Sequence, residues 1–185
     1  MAIVGVSNFH YAKQLTDTLT GTTYDAVKKI SGVVNLDVKP GSSSATLYAD
    51  NGPADTATTL GEIAVSIELK ELPLEDQAAL LGHTLAAGVM TSKTSDVAPY
   101  VAIAFEGLKS NGKKRYVKLL KGMFQEPDDS YKTKDDKVNF QTGKIEGKFI
   151  MRTYDEQWKR TADEESADYL PATGTAWYTA IEPTT

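Results

Sequence analysis

Two long alternating runs joined by an Asn-Gly pair constrain this chain more than any other feature. Pro99-Tyr-Val-Ala-Ile-Ala-Phe-Glu-Gly-Leu108 leads through Lys-Ser-Asn111-Gly112-Lys-Lys into Arg115-Tyr-Val-Lys-Leu-Leu-Lys-Gly-Met-Phe124. Asn-Gly supplies the two positive-φ positions of a tight turn between twisted strands, so the segment reads as a β-hairpin. Nothing inside its strands carries reactive chemistry. Long strands, few reactive groups and a polar periphery describe a building block better than a catalyst.

The alternation recurs elsewhere. Over residues 60–70, Ile63, Val65, Ile67 and Leu69 share one face, and Glu62, Ala64, Ser66, Glu68 and Lys70 share the other. Residues 33–39 repeat the pattern with Val34, Leu36 and Val38 inward and Asn35, Asp37 and Lys39 outward. Pro40-Gly41 and three serines then predict a stop, with a short further strand at 45–49. A last strand is predicted from Asp136 to Met151. Its apolar residues change parity between Phe140 and Ile145, which predicts a bend near Gln141–Lys144, with Gly143 as its site. One helix is predicted over 73–85. Pro73 is tolerated at its start, Glu75 and Asp76 complement its dipole, and Leu74, Ala78, Leu81 and Leu85 make its apolar stripe. The fold class is therefore mainly β with one α-helix, which must lie against a sheet to bury that stripe.

Composition narrows the chemistry. The 185 residues suffice for a single domain with a core of its own, spanning 1–185. A net charge of −5 gives no reason for avid binding to nucleic acid, and the absence of cysteine removes disulfides, thiolate catalysis and cysteine-ligated metal. No apolar run approaches the roughly 18 residues that would span a bilayer, and the first residues do not read as a secretory signal. The expectation is a soluble protein made in the cytoplasm, without membrane insertion.

Four places invite an enzymatic reading, and each has a simpler one. Gly107–Lys113 matches Gly-x4-Gly-Lys, but Lys114 replaces the hydroxyl that would bind magnesium, and a strand follows where the phosphate site needs a helix. Gly41-Ser-Ser43-Ser-Ala45 sits between strands and so lacks the strand-to-helix turn of a nucleophile elbow. His10 and His83 have no second ligand at metal spacing, and His83 suits a helix C-terminus as a cation. Asp128-Asp129 and Asp135-Asp136, mixed with Lys132 and Lys134, read as a solvated loop rather than a calcium site. Lys113-Lys114-Arg115 lacks an aromatic platform for nucleic acid. The sequence predicts no enzyme, no cofactor and no metal.

Three segments lie outside the strand pattern: Thr-rich residues 12–25, the polar stretch 49–60, and residues 155–185 with the acidic run Asp163-Glu-Glu165. They read as loops and arms that order on assembly. Gly5-Val6 to Tyr11-Ala12, Leu47-Tyr48-Ala49-Asp50-Asn51, Leu80-Leu81-Gly82-His83 with Gly88-Val89, Pro99–Phe105, Arg115–Phe124, Lys132-Thr-Lys134 and Lys148-Phe-Ile-Met-Arg152 occur in an order that resembles the major tail, or tail-tube, proteins of long-tailed bacteriophages and prophages of Gram-positive bacteria. The resemblance covers about 150 residues and stops near Tyr154.

That resemblance implies a β-sandwich or partly closed β-barrel flanked by one helix. It implies subunits in hexameric rings that stack into the tail tube of the virion. The partners implied are the subunit itself, the tape-measure, tail-tip and tail-terminator proteins, and double-stranded DNA passing through without specific contact. Related tubes belong to phage-derived bacteriocins and secretion particles. On this reading Asp50, Asn51, Gly52, Pro53, Ala54 and Asp55 form a loop, mobile in the free subunit, that orders against a neighbouring subunit or ring. The wet strand faces offer Glu62, Glu68, Lys70, Lys144, Glu146 and Lys148 as lumen residues. A different reading is a carbohydrate- or receptor-binding β-module of a phage tail, which would need Trp158 or Trp177 as an exposed platform.

Overall fold

The computed structural model describes residues 2–49, 52–129, 131 and 142–182, with the main chain alone at residues 49, 53 and 54. In chain order the elements are β1 (Ile3–Thr18), β2 (Gly21–Tyr24), β3 (Lys28–Lys29), β4 (Val33–Ala49), β5 (Gly52–Leu69), α1 (Leu74–Leu81), β6 (Thr84–Ala86), β7 (Val89–Thr91), β8 (Val101–Lys109), β9 (Lys114–Phe124), β10 (Gly143–Phe149), β11 (Lys159–Asp163) and α2 (Pro171–Ala176). The protein is mainly β. One antiparallel sheet runs β2-β1-β8-β9-β10-β5-β4, with β3 also on β1 and β11 also on β9, and β6–β7 forms a small second sheet.

The β8–β9 hairpin forms at Asn111-Gly112, but with one left-handed position instead of the two expected, because Asn111 does not take positive φ. Gly112 takes φ +80°, its N–H donates to Lys109 O at 3.0 Å, and the Lys113 N–H donates to Asn111 Oδ1 at 3.1 Å. Its burial differs from a half-wet hairpin, because β8 is covered on both faces. Val101, Ile103 and Phe105 enter the main core, whereas Ala102 and Ala104 lie under the C-terminal segment. β9 steps out of register between Leu119 and Gly122, so Val117, Leu119 and Phe124 all face the same core despite their opposite parity. Val138, Phe140 and Gln141, on which the bend in the last strand was predicted, lie outside the described residues; β10 begins at Gly143, paired with Leu69.

Ile63, Val65, Ile67 and Leu69 of β5 are buried as their alternation predicts. β4 departs from prediction twice. A register shift between Val33 and Asn35 turns Val33 onto the core and leaves Val34 54% exposed, a correction to its inward assignment. Pro40-Gly41 does not end the strand. The ladder shifts at Pro40/Ser42 and continues to Ala49, because β4 is the last strand of the sheet and proline there forfeits no ladder bond on its open edge. Among the described residues no ladder joins β4 to β2 or β1, so the sheet wraps its core without closing into a barrel.

The predicted helix forms as α1, with Pro73 at its N-cap and Gly82 ending it at φ +78°. A Cβ on Gly82 would lie 2.2 Å from Val97 O, so no other residue fits. The helix buries Ala78, Leu80 and Leu81, while Leu74 is 48% exposed and Leu85 falls in β6, so the stripe is shorter than its sequence spacing suggests. Tyr11 Oη donates to Asp76 Oδ1 at 2.8 Å, tying α1 to β1. Leu81→Ala is expected to cost about 2–5 kcal/mol in urea unfolding. Leu74→Ala and Glu75→Ala should have small effects, and equal effects at all three positions would contradict this packing. A second helix, α2, corrects the expectation of one. Its six residues bury no side chain.

Candidate functional site

Five of the six residues that alternation offers as lumen candidates gather on one surface. β10 pairs β5 with Lys144 opposite Glu68, Glu146 opposite Ser66 and Lys148 opposite Ala64, and β5 pairs β4 with Asp37 opposite Ser66 and Lys39 opposite Ala64. Directly opposed residues share a face, so Asp37, Lys39, Glu62, Glu68, Lys144, Glu146 and Lys148 form one charged surface across three strands. Its four carboxylates and three ammonium groups leave one net negative charge. Lys148 Nζ lies 2.9 Å from Glu62 Oε1 and Lys144 Nζ lies 2.6 Å from Glu146 Oε1. The Glu146 carboxylate raises the pKa of Lys144, and Lys144 lowers that of Glu146. Thr142 Oγ1 donates to Glu68 Oε1 at 2.5 Å. Lys70 follows β5, exposed, with its N–H on Gly32 O at 2.7 Å. Opposite-sign charges placed this closely present little field to an extended polyanion.

The second feature is the outer part of the β4–β5 hairpin. Residues 49–60 were expected to be a mobile loop; of these, Ala49 ends β4 and residues 52–60 belong to β5. Ser43 faces Thr59, Ala45 faces Ala57, Thr46 faces Thr56, Leu47 faces Asp55, and Ala49 pairs with Gly52. Ser43 Oγ and Thr59 Oγ1 meet at 2.9 Å. The reason is local. Threonine suits a pleated surface, and the two strands satisfy each other's main chain. Every side chain from Lys39 to Tyr48 and from Asp55 to Glu62 is exposed, including Leu47 at 65% and Tyr48 at 71%. Ser42–Ala49 with its partner strand forms a ribbon roughly 25 Å long at the usual strand rise, with both faces free. Asp50 and Asn51 lie outside the described residues. Gly52 and Pro53 pair with Ala49 and Tyr48, the main chain of Ala54 belongs to β5, and Asp55 Oδ1 accepts the Thr56 N–H at 2.8 Å. Hydroxyl residues on both sides of Asp50-Asn51, Ser42–Ser44 with Thr46 and Thr56 with Thr58 and Thr59, were the available signal for this ribbon.

The other half of the outer sheet face is covered. Residues 12–25, predicted to be irregular, form the β1–β2 hairpin, and residues 155–182 fold back over β1, β8 and β9. The acidic run and the basic hairpin tip, separate motifs in the sequence, meet here. Lys109 Nζ reaches Asp163 Oδ1 at 2.5 Å and also Glu165, Arg115 Nε donates to Asp163 Oδ2 at 2.8 Å, and the Lys114 N–H donates to Glu164 Oε2 at 2.8 Å. Lys109 leads the groups that hold Asp163 well below the usual carboxylate range. The glycines and lysines of 107–113 are thus a hairpin end engaged by carboxylates.

His83 follows α1 and bridges two carboxylates, Nδ1 to Asp96 Oδ2 at 2.8 Å and Nε2 to Glu126 Oε1 at 2.9 Å, which raise its pKa. His10 stacks on Tyr178 with ring centres 4.3 Å apart, and burial lowers its pKa. Asp128 and Asp129 are exposed, while Lys132, Lys134, Asp135 and Asp136 lie outside the described residues. Among the described residues no cluster of His, Asp and Glu has the geometry of a metal site, and no helix is long and apolar enough to cross a membrane. The sequence matches neither a protein-family model nor a curated protein.

Proposed function

We propose that this chain is a tube-forming structural subunit of the kind its sequence resembles, a major tail protein whose hexameric rings stack into a phage tail tube. The observation that carries the proposal is the β4–β5 arm. An isolated two-stranded ribbon is marginal in water, and an uncharged, exposed strand edge invites pairing with another chain. An arm of this kind gains its full set of contacts when it lies against a second copy, and closing a ring removes the open edges. In this reading residues 50–55 at the tip reach the neighbouring subunit or ring, and the charged β4–β5–β10 face lines the lumen. A wall close to neutral suits passage of double-stranded DNA, since each uncompensated cation would add counterion-release affinity and hold the cargo. Tape-measure, tail-tip and tail-terminator proteins are the further partners, and the virion is the location. Tubes of bacteriocin or secretion particles use the same subunit logic. The carbohydrate-binding reading loses support, because Trp177 is buried and Trp158 is packed against the core.

Sedimentation velocity over a concentration series tests the proposal. Rings and higher polymers should appear as concentration rises, and a single monomeric boundary throughout would remove it. The lumen assignment has its own test. Glu62→Lys with Glu68→Lys changes the charged face by four units towards positive. Assembled tubes carrying both should retain DNA more strongly at low salt and lose it as salt rises, with ring formation intact. Unchanged retention across the salt series would place these glutamates outside the lumen.

A further inference from the structure

Among the described residues four charged side chains are buried: Glu106, Lys109, Lys118 and Arg152. Three are matched by opposite charge, Glu106 by Lys114, Lys109 by Asp163 and Glu165, and Arg152 by Asp155 and Glu182. Lys118 has no carboxylate within ion-pair distance among the described residues. Its Nζ donates to Ala180 O at 2.8 Å and Ile181 O at 3.1 Å, and it sits 4.6 Å from the centre of the Trp177 ring. All three partners belong to the C-terminal segment, so that segment is what removes the ammonium from water.

The same segment is attached by side chains rather than by a ladder. From Ser166 to Thr179 its main-chain hydrogen bonds are local turns, as in Tyr169 N–H to Ser166 O and Thr179 N–H to Ala176 O. Trp177 rests on Ala104 and Tyr116, and Ile181 rests on Ala12, Ala102 and Leu120. Tyr178 Oη donates to Glu106 Oε2 at 3.1 Å, and Glu182 accepts from Arg160 at 3.0 Å. Trp177 Nε1 is buried without a hydrogen-bond partner among the described residues. Glu182 at the end of the segment also pairs with buried Arg152, so the cover is anchored there, and its cost lies at its centre, in an orphaned donor and a cation without a counter-charge.

We infer that residues 170–182 form a reversible strap whose closure over Lys118 is coupled to loss of that lysine's proton. Burial, reinforced by the charge of Arg160 and opposed by Glu182, brings Lys118 down to about 8 from its ordinary 10.5. With the strap open the lysine returns to its ordinary range, so the open form binds more protons between those values. Closure therefore tightens as pH rises through this window, by up to about 300-fold, and is weakest below it. Besides Lys118, the titratable and charged groups that face the strap are His10, Glu106, Tyr116, Tyr169, Arg152 and Arg160. His10 is lowered by burial, and Glu106 is lowered because Lys114, Ser7 and Tyr178 outweigh its burial. Tyr116 is raised by burial and Glu164, and Tyr178 by burial and Glu106.

The test is acrylamide quenching of Trp177 from pH 7 to pH 10.5 in a Trp158→Phe background, with circular dichroism reporting the sheet in each sample. Quenching should fall with rising pH when Lys118 is present, stay low and flat in Lys118→Met, and stay high and flat in Lys118→Arg. A flat profile with Lys118 present, or the same pH response in Lys118→Met, would overturn the inference. Acetylation of the unsubstituted protein gives a second readout that needs no variant. Lys118 should react more slowly than exposed Lys28, with the gap widest where the strap is tightest, and equal reactivity would overturn the inference.

Discussion

Gly122→Ala is expected to destabilise the protein by about 3 kcal/mol, a large share of the roughly 5–15 kcal/mol that holds a domain folded. A Cβ at this position would stand 2.3 Å from Phe149 Cγ and 2.4 and 2.5 Å from its two Cδ atoms. Cγ moves only if the whole side chain swings, and Phe149 is fully buried, edge-on to Phe124 with ring centres 5.8 Å apart. The ring must leave its place or β9 must separate from β10. Gly147 carries a similar constraint, since its Cβ would meet Met123 O at 2.7 Å. Gly21→Ala is the control, with nothing within 4 Å of its Cβ. Urea unfolding of the two variants measures the difference, and similar midpoints would mean that the phenylalanine pair is not held by the missing side chain at Gly122.

Shortening the arm is expected to abolish polymerisation while leaving the subunit folded. The two strands must be cut together, because residues 52–58 pair with 44–49 and removing one side alone would leave the other without a ladder. Replacing residues 44–58 by an Asn-Gly turn keeps the Ser43–Thr59 pair and the rest of the sheet. No described side chain of the replaced segment is buried, so the thermal midpoint should stay close to that of the intact chain. Sedimentation of the shortened subunit should show monomer where the intact chain polymerises. Normal polymers from the shortened chain would remove the arm from assembly.

The parts of the fold legible in the sequence are those set by local alternation. Ile63 to Leu69 and the Asn111-Gly112 hairpin need no knowledge of distant residues. Val34 was misplaced because a single register step reverses parity, and with Val33 and Val34 both apolar the pattern does not mark the step. Pro40-Gly41 reads as a stop in any strand, and only its place on the edge of the sheet lets the ladder continue. The charged face was legible residue by residue as the wet side of two strands. That the strands are neighbours follows from pairing between segments far apart in sequence, which periodicity does not encode. The C-terminal cover was least legible, because Trp177 and Ile181 are two anchors in a polar stretch and their seat is made of alanines from other strands.

Cryo-electron microscopy of the purified protein, concentrated until it assembles, decides whether the subunit builds a tube. Six-fold rings stacked into a tube are expected, with the β4–β5 arm inserted into a neighbouring copy and Glu62, Glu68, Lys144, Glu146 and Lys148 facing a lumen wide enough for a DNA duplex. Separate monomers at every concentration and salt, with the arm touching no second copy, would contradict it.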